Sequence, residues 1–137
     1  MAKADGVQSE AVKLTLAPTI GAAIANWNSG VATSGLAGAD LVTLGAADTN
    51  YLVHSLIASI ANLTPAAAIT VRLYQLVNAV ERQVYAVNFI QGTDPDGLWI
   101  VDGTLGIHQA LRCEVYSNAG ADDGAVIDYD YILELCL

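Results

Sequence analysis

The chain has 137 residues, of which 54% are hydrophobic and 14% charged, and its formal net charge is −9. Folding buries roughly two-thirds of the surface of a chain this long, enough for one domain with one core and no metal or disulfide staple. The five cations, Lys3, Lys13, Arg72, Arg82 and Arg112, form no basic run, which excludes a phosphate-neutralising nucleic-acid interface and electrostatic attachment to an anionic membrane.

A typical domain is about 25% charged, so polar groups here are scarce for covering a small sphere. Apolar surface is therefore expected outside, and such surface marks partners. The expected partner is the chain itself, in a homo-oligomer, with a trimer favoured. Mean hydropathy is positive, yet no run approaches the ~18–20 apolar residues of a spanning helix. The opening Met1-Ala2-Lys3-Ala4-Asp5-Gly6 lacks the charged and apolar regions of a signal peptide. Synthesis in the cytoplasm without a cleaved signal is the expectation.

In chain order, residues 1–48 are rich in Ala, Gly, Ser and Thr, with weak periodicity. Five glycines and one aromatic, Trp27, fall between Gly21 and Ala47. A short helix opening near Pro18 fits the preference of proline for a first helical position. Short strands at Lys13–Leu16 and Leu41–Leu44 fit equally. The segment reads as an extended N-terminal arm with edge strands, ordered by the body or by a neighbouring subunit.

Residues 49–137 read as a β-sandwich body, because the period changes to two. Tyr51–Ile60 is the first strand. Ile69, Val71, Leu73, Gln75 and Val77 then share one face, with Thr70, Arg72 and Tyr74 opposite. Arg82–Ile90 and Leu98–Val101 are β-branched and aromatic enough to be strands. Leu105, Ile107, Leu111, Cys113 and Val115 line a further long run, against His108, Arg112 and Glu114. The last segment alternates Ile127, Tyr129, Tyr131, Leu133, Leu135 and Leu137 with Asp128, Asp130 and Glu134. Turn chemistry separates these runs at Asn62–Pro65, Asn78-Ala79, Gly92–Gly97, Asp102-Gly103 and Asn118–Gly124. The expected fold is all-β, an antiparallel sandwich or jelly roll.

Chemistry-bearing residues are sparse. His54 and His108 sit inside strand runs, away from any nucleophile motif, and read as structural or interfacial. Cys113 and Cys136 lack metal-ligand spacing and read as buried thiols, a disulfide between them being the alternative. Asp94, Asp96 and Asp102 form one acidic group, and Asp122, Asp123, Asp128 and Asp130 a second. Neither has EF-hand spacing, and aspartate commonly starts turns, so no metal site is assigned, although Asp94 and Asp96 are the pair best placed for calcium. Asp128 and Asp130 could flank a glycosidic bond, but nothing around them would raise a pKa. Tyr129, Tyr131 and Trp99 read as core, while Tyr74 and Tyr116 are expected outward as contact candidates. No catalytic, cofactor-binding or metal residue is assigned.

The strings Ile69-Thr-Val-Arg-Leu-Tyr74, Val77-Asn-Ala-Val-Glu-Arg-Gln-Val-Tyr85, Gly92-Thr-Asp-Pro-Asp-Gly-Leu-Trp-Ile100 and Gly106-Ile-His-Gln-Ala-Leu-Arg-Cys-Glu-Val-Tyr-Ser117 resemble structural proteins of tailed phages and prophages. The resemblance spans residues 50–137. It implies a small β-sandwich virion protein, of the capsid decoration or cement kind, clustered symmetrically on a shell and touching the major capsid protein. None of the strings is a catalytic signature, so a non-enzymatic role is expected. The alternative is a carbohydrate- or ligand-binding sandwich module using exposed Tyr and Trp.

Overall fold

The computed structural model describes residues 13–17, 22–23, 39–122 and 125–136. Their strands are β1 (Lys13–Ala17), β2 (Ala22–Ala23), β3 (Ala39–Leu44), β4 (Tyr51–Ser59), β5 (Ala68–Val77), β6 (Val80–Ile90), β7 (Gly97–Ile107), β8 (Leu111–Ser117), β9 (Val126–Ile127) and β10 (Tyr129–Leu135). A single 3-10 turn, Gly120–Asp122, completes the described elements.

All strand pairs are antiparallel, and their pattern is nested. The innermost pair is the hairpin β5–β6, followed outward by β4–β7, β3–β8, β2–β9 and β1–β10. The chain is thus one long hairpin whose two arms run side by side. Two further pairings, β10–β4 and β5–β8, fold that hairpin onto itself. The result is two four-stranded sheets, β1-β10-β4-β7 and β3-β8-β5-β6, with the small β2-β9 pair between them in sequence.

One core is shared by both sheets. Val53, Leu56 and Ala58 of β4, Leu98, Ile100 and Val101 of β7 and Leu133 of β10 form a single buried cluster with residues of the other sheet. Those residues are Leu41 and Leu44 of β3, Ile69, Val71 and Leu73 of β5, and Leu111, Cys113 and Val115 of β8. The fold is therefore nearly all β and sandwich-like. Each of the Val, Leu and Ile side chains contributes about 1.5–3 kcal/mol on leaving water. Tyr129 and Tyr131 pack against the cluster from its border, in keeping with the core face read for them.

The turns follow local chemistry. Asn78 and Ala79 link β5 to β6 with φ of 52° and 67°, the two positive values that a primed two-residue hairpin requires. At Gly45, φ is +84° and a Cβ would lie 2.9 Å from Cδ1 of Ile107. Only glycine fits there, between β3 and β4.

Several expectations need correction. The run over Leu105–Val115 is two strands, because the backbone turns at His108–Ala110. Asp102-Gly103 ends nothing: β7 passes through it with a bulge, in which Val53 pairs with Leu105 but Ser55 pairs with Asp102. Gly103 takes φ of +123° in that bulge. A second slip, at Ile100, lets Leu56 pair with Val101 and Ile57 with Trp99. Ile100 and Val101, adjacent in sequence, are consequently both buried. Trp99 is not core: it is 55% exposed. Val77, read as inward, is exposed because the β5–β6 hairpin overhangs the core. Tyr74, read as an outward contact, does lie opposite the inward residues of β5 but is buried. Cys113 and Cys136 are both free thiols.

The strands expected at Lys13–Leu16 and Leu41–Leu44 are present as β1 and β3, at the outer edge of each sheet. The helix expected near Pro18, and Trp27, lie outside the described residues.

Candidate functional site

One seam between the two sheets is lined by exposed apolar residues. β6 and β7 are consecutive in the chain, and each ends its own sheet, with no strand partner on its outer side among the described residues. Between them lies a groove of about 580 Å³. Leu73, Ile100 and Leu111 line it from the core side. Val84, Tyr85, Trp99 and Leu105 line it too, and all four are substantially exposed. Its polar lining comes from Gln75, Asp102 and Thr104, and no Lys or Arg is among the lining residues.

Local irregularity builds this lining. In the β5–β6 pair Leu73 faces Tyr85 and Tyr74 faces Gln83, so Val84 is an inserted residue. The two slips of β7 bring Ile100 and Val101 together inward and leave Asp102, Gly103 and Thr104 along the groove. Bulges re-aim side chains and interrupt a ladder, and they concentrate at sheet edges. Gln75 is steadied by a bond from its Nε2 to the carbonyl of Gln109, 3.0 Å.

A second cluster covers the outer face of the β3-β8-β5-β6 sheet. The Arg112 guanidinium donates to both carboxylate oxygens of Glu81, at 3.1 and 3.0 Å, and to Asp40 at 2.6 Å. It lies 4.3 Å above the Tyr74 ring, a cation–π contact that buries the ring. Arg72 donates to Glu114 at 2.9 Å. Glu114 is buried, and its desolvated carboxylate is tolerated because two guanidiniums reach it. The network joins all four strands of that sheet. The hydrogen bonds from Arg112 hold Glu81 below its ordinary pKa. Burial, and then the charge of Glu114, push the Tyr74 hydroxyl up. These are the marks of a structural brace: every carboxylate in it is spent on an arginine.

His54, His108, Asp94 and Asp122 tie strands and turns together. His54 bridges three strands, with Nε2 2.7 Å from Glu134 and Nδ1 3.1 Å from the Thr104 hydroxyl. His108 is exposed, with Nδ1 2.6 Å from the Asn50 side-chain oxygen. Asp94 accepts the amide of Ile90 at 2.6 Å, which makes it a turn-former. Asp122 is buried and accepts from the Thr64 amide at 2.9 Å, the Thr64 hydroxyl at 2.8 Å and the Ser117 hydroxyl. It ties the Asn62–Pro65 turn to the end of β8. No group of three or more potential metal ligands converges among the described residues. Burial raises the Cys113 thiol to about 12, so it stays protonated and inert.

Of the residues weighed from sequence, only Asp102 and Trp99 come together at the groove. Tyr85, Val84, Gln75 and Thr104 were not singled out. An alternating pattern identifies a strand's two faces but not which strand lies at an open edge. Comparison with protein-family models, characterised proteins and solved structures finds no match to this chain.

Proposed function

We propose that this chain is a non-enzymatic structural protein that self-associates, an auxiliary component of a virus-like particle of the capsid decoration or cement kind. The observation that carries this reading is the apolar tip of the β5–β6 hairpin. Leu76, Val77 and Val80 are 42%, 52% and 48% exposed, on a chain with few charges to spare. A tip of this kind is costly in water and favours burial against a neighbour. The nested pairs and the strand orders β1-β10-β4-β7 and β3-β8-β5-β6 support the proposal of a jelly roll, an architecture that viral capsid and lectin domains use. Because a fold alone does not specify function, the reading rests on the tip. The proposed place of action is the virion, with the major capsid protein as a second partner.

Sedimentation at micromolar concentration tests the reading, together with electron microscopy of the protein added to its particle. The expected species is a trimer or larger symmetric assembly. Leu76→Asp combined with Val80→Asp is expected to yield a folded monomer near 14.2 kDa. A wild-type monomer that decorates no particle would refute the proposal.

A second reading, a ligand-binding module, is favoured by the seam between β6 and β7. It uses a different surface, so both can hold for one protein.

A further inference from the structure

We infer that the seam between β6 and β7 is a binding site for a neutral oligosaccharide. The inference stands apart from the assembly reading, whose contact surface is the hairpin tip.

The shape is that of a ligand site. The groove of about 580 Å³ lies within the ~300–1,000 Å³ usual for small-molecule clefts, and it has their composition, an apolar floor with a few polar groups. The rim is unusual. Trp99 and Tyr85 are 55% and 43% exposed, and both line the groove. Aromatic rings carry large apolar areas that water solvates poorly. Two left exposed across one cleft point to a ligand with flat apolar faces.

Donor chemistry narrows the class. A pyranose ring presents C–H faces, which stack on aromatic rings, and a rim of hydroxyls that both donate and accept. Asp102 offers a carboxylate to adjacent hydroxyls, and Gln75 and Thr104 are further polar partners beside it. Both strands also turn an unpaired edge outward among the described residues, so backbone donors and acceptors supplement the side chains. Phosphates, uronic acids and sialic acids are disfavoured, since no arginine or lysine lines the groove and Asp102 would repel them. An extended peptide is the natural competitor at any open edge. Here the slips at Val84, Ile100 and Gly103–Thr104 break the regular ladder that an added strand needs. Short sugar units do not need that regularity.

The test uses the full chain titrated with maltohexaose, cellohexaose and chitohexaose. A heparin hexasaccharide serves as anionic control and a valine-rich pentapeptide as competitor. Saturation-transfer NMR and tryptophan fluorescence report binding, and sizing is run on the same samples. At least one neutral hexasaccharide is expected to bind saturably. Trp99→Ala and, independently, Asp102→Ala should each weaken it by about tenfold or more. His108→Ala, at an exposed position outside the groove, should leave binding unchanged, and the assembly should stay intact in all three variants. Absence of binding by all three neutral sugars would overturn the inference, as would wild-type affinity in both groove variants. Binding of heparin or the peptide in preference to the neutral sugars would also overturn it. None of these outcomes bears on the oligomer, which the hairpin-tip variants report separately.

Discussion

Replacing Asp122 probes a contact that links two distant parts of the chain. The residue is 3% exposed, and its carboxylate holds three donors, the Thr64 amide and hydroxyl and the Ser117 hydroxyl. In Asp122→Ala the Ser117 hydroxyl, on a residue with no exposed surface, loses its acceptor in a dry site, at about 1–3 kcal/mol. Thr64 is half-buried, so water can partly satisfy its two donors and their loss adds about 1 kcal/mol. Removing a desolvated carboxylate returns part of this. The net cost is about 2 kcal/mol, or about 7 °C in Tm for a domain this size. Asp122→Asn keeps the shape and one carbonyl oxygen for Thr64, while the Ser117 hydroxyl can rotate to accept from the new amide. It should cost about 1 kcal/mol. Urea unfolding at neutral pH, followed by far-UV dichroism, measures both. A change under about 0.5 kcal/mol for Asp122→Ala would refute the linkage. Equal damage from both variants would show that the negative charge matters and not the acceptor geometry.

Three other outcomes are expected. Leu133→Ala removes a core side chain of the central strand β10 and should cost about 2–5 kcal/mol in chemical denaturation, whereas Glu134→Ala, which leaves the partly exposed His54 ring to water, should cost about 1 kcal/mol or less. Ala79→Gly relieves a φ of 67° and should raise stability by about 0.5–1 kcal/mol, read as a higher denaturation midpoint. Iodoacetamide at mildly alkaline pH should label the half-buried Cys136 quickly and Cys113 only on unfolding. Because the folded thiol of Cys113 titrates at about 12 against 9.0 unperturbed, the unfolded chain releases its proton first. Stability should therefore fall as pH rises from about 9 toward 12, and Cys113→Ala should flatten that limb.

The candidate groove was partly legible in the residues. Asp102 and Trp99 drew notice, but Trp99 was assigned to the core because it lies between the apolar Leu98 and Ile100. In such a run period two gives no polarity to read. Two slips in one strand then place Ile100 and Val101 inward together, which no alternation rule anticipates. Tyr74 erred in the opposite direction. Its face was read correctly, but burial came from Arg112, 38 positions later in the chain, lying over the ring. Asp122 was weighed as one of an acidic group and as a turn-former, not as an acceptor for Thr64 and Ser117, because those partners reach it through folding.

What the chain determines locally is strand content, the facing of β5, β8 and β10, and the turns at Asn62–Pro65 and Asn78-Ala79. These depend on side-chain period and on backbone preferences that act over two to four residues. The low charge fraction likewise implies exposed apolar surface from composition alone. Tertiary structure decided the rest: the nesting of pairs from β5–β6 out to β1–β10, the bulges that re-aim β6 and β7, the outer brace around Arg112, and the open seam. Each depends on contacts between residues far apart in sequence, whose energies enter only when the hairpin folds back, leaving β6 and β7 at sheet edges with no outer strand partner among the described residues.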